Sequence, residues 1–597
     1  MCGIFGYVGK QRDAANIIFG GLKRLEYRGY DSWGVAVVDG GQIHASKQIG
    51  AIGDIGKKLE LPESFIGIGH TRWATHGGIT QTNAHPHFSS DKSFVLAQNG
   101  IVENFAELKK SLIENGMVFE TETDTEVIVR LIEKELNAER SGRERGITLK
   151  DAVRAAFLKL DGRNTIILAT KDGEVIAARN GSPLVVGVGE DEVYLSSDTL
   201  SFAPYVEQML VVENGQMVAC KDGKVELFDI KSGKQINYVL EKIDIEDNRI
   251  DKEGYAHFML KEINESPYVI RQLLSENFDT LSDFAKAIKG AKSVYTLGCG
   301  TAGIAAAQIA FYLREFAGVE AVSLIGGDSL EYVKLFEVGD LIIAPSQSGE
   351  TADVLEVLEI AKKKGVKIAT LVNMQGSTMT RMSDFKFMNN AGPEVCVMST
   401  KVFVSQIAWG YLVAKIVGGK QKEAVKSLQM LALKMEKYLE DENNMMVVEM
   451  LAKKLVGAKD IFLLGKYQNF NIVKEGMVKI IEGTYKHAHA IPAGDLKHYA
   501  ITLMEKGVPV IFALSNDEAK SGVVNAISEV RARGAEVIGI APFELEGFDY
   551  FLPVPDCLDA GAVMNVVPLQ LLAYFMTVEL GNNVDKPRNI AKSVTVK

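Results

Sequence analysis

Met1-Cys2-Gly3-Ile4-Phe5-Gly6 opens the chain, and the reading of its first third turns on position 2. Removal of Met1 would leave Cys2 N-terminal, with a thiol and a free α-amino group on one residue. A thiol titrates near ~8.5 and an α-amine near ~7.7, so close to neutral pH the amine can act as general base for the thiol beside it. The plainer alternative is a buried cysteine at the head of an apolar first strand.

Outward from that strand, residues 2–217 read as a sheet-rich domain. Strands are expected at Gly3–Val8, Gly34–Asp39, Phe65–Arg72, Ser93–Asn99, Thr165–Thr170, Glu174–Arg179, Leu184–Val188 and Glu192–Ser196. Helical periodicity occupies Ala14–Glu26, Phe105–Asn115, Asp124–Leu136 and Leu149–Leu160. Such a mixture predicts a layered α/β domain. Polar, glycine-rich stretches interrupt it: Tyr27–Ser32, His70–Gly77 (His-Thr-Arg-Trp-Ala-Thr-His-Gly), Asn83–His87, Gln98-Asn99-Gly100 and Thr123–Glu126. The last is a helix N-cap with an acidic first turn. His70, His76, His85 and His87 lack helical i,i+4 spacing and an obvious carboxylate partner, so no metal site is expected.

Residues 218–280 are more charged, with an amphipathic stretch at Tyr255–Leu273. They are expected to form a connector packed on the second half of the chain. Beyond it, strands and helices alternate, as in a parallel sheet. The pattern also repeats. Val294–Gly298 is echoed by Ile461–Gly465, Leu341–Ala344 before Ser346 by Val510–Ala513 before Ser515, and Lys364–Ile368 by Arg533–Val537, about 170 residues apart. The repeat implies two related lobes, at 281–424 and 450–587, with a helical bridge near Gln421–Glu440 and a tail at 588–597.

The first lobe carries Ser346-Gln347-Ser348-Gly349-Glu350-Thr351 and Gly298-Cys299-Gly300-Thr301 at strand-to-helix turns. Free N–H groups and hydroxyls at such turns suit a phosphate. The second lobe has Ser515-Asn516-Asp517-Glu518 instead, whose acids oppose phosphate.

The composition bounds the class. The 597 residues are 47% hydrophobic and 24% charged, with net charge −11. That describes three or four globular domains of ~150 residues and argues against nucleic acid as a partner. The five cysteines are scattered without a C-x-x-C pair, which fits a reduced compartment. No leader or membrane-length apolar run stands out, so no membrane association and a cytoplasmic location are expected.

In their order, Cys2-Gly3-Ile4 and the polar stretches of the first third resemble the class II glutamine amidotransferases, which are N-terminal-nucleophile (Ntn) hydrolases. The second half resembles a tandem pair of sugar isomerase (SIS) domains. The combination, with Ala391–Glu394, Ser399–Lys401, Glu475–Glu482 and the tail Asp585–Val596, is similar to the glutamine-dependent sugar-phosphate aminotransferases of isomerising type. The fold implied is α/β: an Ntn-hydrolase αββα layered domain followed by two doubly wound parallel-sheet SIS lobes.

The same resemblance implies glutamine and fructose 6-phosphate as substrates, glucosamine 6-phosphate and glutamate as products, no cofactor, no metal and a homodimer. It makes Cys2 the nucleophile, Asn99 and Gly100 the oxyanion hole, and Arg72 and Asp124 the grip on the glutamine carboxylate and ammonium. Trp73 is implied as an ammonia gate, and Thr75, His76 and Gly77 as further glutamine contacts. In the second half it implies Lys592 as the imine-forming lysine, Glu482 as proton shuttle, Lys479 as a hydroxyl-handling partner and His498, from a neighbouring chain, as the ring opener. Cys299, Gly300, Thr301, Ala302, Ser346, Gln347, Ser348, Thr351, Val397 and Ala591 would hold the sugar phosphate. The imine role requires an ordered tail, with the Lys592 amine brought to lose its proton by burial next to other cations. The chain departs from the family pattern at Ala302, usually Ser, at His489, at Asp495 and at Tyr499-Ala500. Those departures leave room for another sugar phosphate or for deamination, and a sugar-phosphate-sensing protein is the alternative outside enzymes.

Overall fold

The structure, a computed structural model, describes residues 2–53, 59–138, 147–243, 251–275 and 278–595. It divides into two compact units, Met1–Ile250 with Ser593–Lys597, and Asp251–Lys592.

The first unit stacks two antiparallel sheets. One orders its strands Glu241–Lys242, Gln208–Val211, Val185–Val188, Val193–Ser196, Gly3–Val8, Ile66–Arg72, Ser32–Asp39, Gln42–Ile49. The other orders Gln235–Ile236, Lys224–Asp229, Gln216–Lys221, Val175–Asn180, Asn164–Thr170, Phe94–Gly100, His87–Phe88. Strand periodicity of two explains the layers. Ile4 and Val8 face the second sheet, where they meet Val95, Ala97, Ile167 and Ala169. Phe5 and Tyr7 point the other way, onto Ile18, Phe19 and Leu22 of the helix Ala14–Arg24. Phe94 and Leu96 turn likewise to Ile128 and Ile132 of the helix Asp124–Ala138. Each sheet is thus apolar on both faces, and the result is a helix–sheet–sheet–helix sandwich.

The expected connector at 218–280 is corrected by this topology. Residues up to 242 pair as strands within the first unit, while Phe258–Asn264 and Ser266–Leu273 belong to the second. The single helix expected at Tyr255–Leu273 is two, because Pro267 opens the second and lacks the N–H to continue the first. Part of that stretch, 244–250, lies outside the described residues.

The second unit contains two five-stranded parallel sheets of identical order. The first runs Ala321–Ile325, Val294–Gly298, Leu341–Ser346, Lys367–Val372, Phe385–Met388. The second runs His487–Pro492, Asp460–Gly465, Pro509–Ala513, Glu536–Ala541, Tyr550–Pro553. Order 2-1-3-4-5 is a doubly wound arrangement with a switch point between its first and third strands. The bridge helix spans Gln421–Glu440, and a single core joins both lobes. Among the described residues one helix, Leu558–Glu579, is long and apolar enough to cross a membrane; 89% of that window is buried inside the protein, as in a core helix.

Candidate active sites

In the first unit, Gly3 pairs with Thr71 in register, which carries Cys2 to the end of the strand Ile66–Arg72. The Trp73 N–H donates to Cys2 Sγ at 3.3 Å, and the thiol faces the Trp73 carbonyl at 3.5 Å. Thr71 Oγ1 accepts from the Gly3 N–H and Ser197 Oγ from the Ile4 N–H, both at 3.1 Å. Arg28 holds the Cys2 carbonyl at 3.4 Å while paired with buried Asp198. Burial pushes the Cys2 thiol up, while the Trp73 N–H and the Arg72 guanidinium act to hold it down.

Arg72 is buried and donates to the carbonyls of His76, Gly77 and Gly78, so it also shapes the loop after its own strand. Asp124, at the head of its helix, accepts the Val102 N–H at 2.9 Å, and burial raises its carboxyl. Thr123 caps that helix by accepting the Glu126 N–H at 3.4 Å. Trp73 and His76 are half-buried and Thr75 is exposed. Asn99 is buried, and its Nδ2 has no partner among the described residues. Gly100 sits at φ +130°, where a Cβ would fall 2.0 Å from the Arg163 carbonyl oxygen, so only glycine fits. A buried, unspent N–H such as that of Asn99 Nδ2 is the kind of donor an oxyanion hole requires.

In the second unit, the two strand-to-helix turns come after adjacent strands, Val294–Gly298 and Leu341–Ser346, and so flank the switch-point crevice. Gly300 begins an 18-residue helix at φ +55°, with Cys299 as its N-cap. Ser346 Oγ accepts the Gly349 N–H at 2.9 Å and Ser348 Oγ the Glu350 N–H at 3.2 Å, which closes the second turn ahead of Thr351, the next N-cap. The matching turn of the second lobe is filled from within. Asn469 donates to Ser515 Oγ at 2.9 Å and Gln468 to Asp517 at 2.8 Å.

Glu475, Lys479 and Glu482 lie along one face of the helix Phe470–Thr484. Lys479 is fully buried, 2.6 Å from Glu482 and 3.4 Å from Glu475. Burial pushes Glu475 up to about 7. Burial also works against the Lys479 ammonium, but Glu475 and Glu482 outweigh it and keep the lysine charged. Thr301, from the first lobe, donates to Glu475 at 3.2 Å. A cavity of about 360 Å³ opens beside Glu482, lined also by Tyr485, His487, Arg588 and Asn589 of the tail.

The Lys592 side chain is buried in this unit. It is paired with Glu394 and donates to the Cys396 carbonyl at 2.7 Å. Glu394 also accepts the Thr400 and Val402 N–H groups, at 2.9 and 3.0 Å, where the helix Lys401–Val417 starts. Burial works to raise Glu394, but Lys592 and those donors prevail and hold it below the usual carboxylate range. Nearby Glu262 is pushed up to about 8 by burial and by the Glu394 charge. The surroundings expected for Lys592 are therefore corrected: a carboxylate and a carbonyl adjoin it, not cations.

Comparison with known proteins bears on both units. A Glutamine amidotransferase domain model matches residues 70–203, and a SIS domain model matches 287–416 and 454–546. The glutamine–fructose-6-phosphate aminotransferases (isomerizing) of Fusobacterium nucleatum and Methanococcus maripaludis are each 36% identical to the chain, over 100% of it and 100% of their own length. The chain belongs to the glutamine–fructose-6-phosphate aminotransferase (isomerizing) family. A solved structure, the C-terminal domain of such an aminotransferase from Francisella tularensis, is 28% identical, covers 56% of this chain and 100% of itself, and superposes with a TM-score of 0.51.

Within this family member, the sequence candidates fall in separate places. Cys2, Arg72, Trp73, Asn99, Gly100 and Asp124 share one end of the first unit's sheets. Thr301 joins Lys479 and Glu482 through Glu475, and Val397 is tied to the tail by its N–H on the Asp585 carbonyl at 2.9 Å. Ala302 and Ala591 are partly exposed. His498 lies exposed on the turn Leu496–His498, and among the described residues no bond links it to the Lys592 cluster. His489, Asp495 and Tyr499 are exposed as well.

Roles for Asp198, Glu262, Glu394 and Glu475 escaped the sequence reading. Glu262 had a signal: it falls on the buried stripe of its helix, between Met259 and Ile263. Asp198 had none, since its partner Arg28 is 170 residues away.

Proposed function

We infer that this chain performs its family's reaction. Glutamine is hydrolysed to glutamate and ammonia in the first unit. The second unit combines that ammonia with fructose 6-phosphate, giving glucosamine 6-phosphate and water. Cys2, freed of Met1, attacks the glutamine amide, with the α-amine as base. Asn99 Nδ2 and the Gly100 N–H receive the oxyanion, and Arg72 and Asp124 hold the amino-acid end. Trp73 borders the thiol where ammonia leaves.

In the second unit the turns around Thr301 and Ser346–Thr351 hold the phosphate. Lys592 leaves Glu394 to form an imine with the C2 carbonyl, expelling water. Ammonia then displaces the lysine at C2. Glu482 carries a proton between C1 and C2, with Lys479 stabilising its charge. His498 serves a neighbouring subunit's site in a homodimer, and the enzyme works in the cytoplasm.

The observation that carries this reading is the burial of Lys592 from the chain's tail, in the same unit as the Thr301–Glu475–Lys479–Glu482 cluster. Incubation with glutamine and fructose 6-phosphate should yield hexosamine 6-phosphate and glutamate in equal amounts, and Cys2→Ala should stop both. Glutamate without amino sugar would leave only a glutaminase.

A further inference from the structure

We propose that His70 is the positioning residue of the glutaminase oxyanion hole, fixing which way the Asn99 amide faces. The inference rests on reading Asn99 as the oxyanion donor. His70 is fully buried, and its Nε2 lies 2.8 Å from the Gln98 carbonyl oxygen and 3.2 Å from Asn99 Oδ1. Burial pushes its ring down to about 3, so it is neutral and carries a single N–H. A carbonyl oxygen only accepts, and a bare ring nitrogen 2.8 Å from it would set two lone pairs against each other. Nε2 therefore bears the hydrogen.

That hydrogen decides the amide. An Asn99 amide turned the other way would set Nδ2–H against Nε2–H. With Oδ1 turned to His70, Nδ2 is buried and has no partner among the described residues.

The neighbouring groups hold His70 in this form. Thr125 Oγ1 donates to Gln98 Oε1 at 2.6 Å, which leaves it only a lone pair for His85 Nε2 at 2.9 Å. His85 must then carry its hydrogen on Nε2. Its bare Nδ1 faces His70 Nε2 at 3.3 Å and is a third acceptor. Gln98 Nε2 goes on to Asn164 at 2.7 Å and to Asp124 at 3.5 Å. One run of buried hydrogen bonds thus spans from the oxyanion donor to the carboxylate at the amino-acid end.

A double-mutant cycle on the full chain tests this, following glutamine hydrolysis. Asn99→Ala alone should lower kcat about a hundred- to a thousand-fold. If it does not, the oxyanion reading itself fails. His70→Leu should lower kcat about ten- to a hundred-fold with KM for glutamine within about two-fold. In the Asn99→Ala background it should cost nothing further, because it acts only through Asn99. Alkylation of Cys2 by iodoacetamide should proceed at the wild-type rate. Where His70→Leu does not fold, His70→Gln and His70→Asn replace it. Gln places an N–H near the Nε2 position and should keep kcat, whereas Asn falls short and should lose it. Multiplying losses in the double mutant, a rise in KM with kcat unchanged, or equal kcat for Gln and Asn would overturn the proposal.

Discussion

Lys592 is held by Glu394, and Glu394 is itself held by two helix N–H groups and Ser399. A lysine bound in this way is ordered, and the proposed imine route requires substrate to draw it from the pair. Lys592→Arg keeps a cation for Glu394 and cannot form an imine. It should abolish amino-sugar formation while leaving sugar-phosphate binding within a few-fold by calorimetry. Borohydride with fructose 6-phosphate should leave an adduct on Lys592 in the wild type and none in the variant.

Glu262 gives a second test at this scale. Its folded pKa is raised from 4.5 to about 8, so between those values the folded protein binds more protons than the unfolded chain. Stability contributed by the neutral form is therefore present at acid pH and is lost as pH climbs through that window. Glu262→Gln stays neutral throughout. Its thermal midpoint relative to wild type should rise steadily from pH 5 to pH 8; a constant difference would contradict the assignment.

The two lobes share a strand order and differ in one element, the turn after the third strand of each sheet. In the first lobe Ser346 and Ser348 accept N–H groups of their own turn, from Gly349 and Glu350. In the second, Asn469, Asn565 and Gln468 reach into the equivalent turn and occupy Ser515 and Asp517. A hydrogen bond to a charged group contributes roughly 1.5–3 kcal/mol. Ser348→Ala should therefore raise KM for fructose 6-phosphate about ten- to a hundred-fold, and Ser515→Ala should leave it unchanged. Equal effects in steady-state kinetics would mean that both turns bind phosphate.

Elements of this kind were largely legible in the sequence. Strands buried on both faces, such as Gly3–Val8 and Leu341–Ser346, announce themselves as apolar runs between turns. Gln42–Ile49 did not, because it is an edge strand written in Gln, His, Ser and Lys. The end of the first domain was misread near 217, because Gln216–Lys221 and Lys224–Asp229 form a hairpin whose charges belong to its ends and exposed face. Candidate site residues carried by local motifs, such as His70–Gly77 and Ser346–Thr351, stand out in the sequence. Partnerships across long separations, Lys592 with Glu394 above all, do not, since nothing local marks them.

At the scale of the molecule, one chain carries two chemistries in two units, each with its own core. Cys2→Ala should remove glutamine hydrolysis without touching imine formation on Lys592, and Lys592→Arg should do the reverse for the sugar. The measurement that bears most directly on their joint purpose uses glutamine labelled with heavy nitrogen in its amide, fructose 6-phosphate and an excess of unlabelled ammonium. A two-site synthase that passes ammonia internally should give glucosamine 6-phosphate carrying the amide label. Product labelled no more than the surrounding ammonium, or glutamate released with no amino sugar formed, would contradict the account.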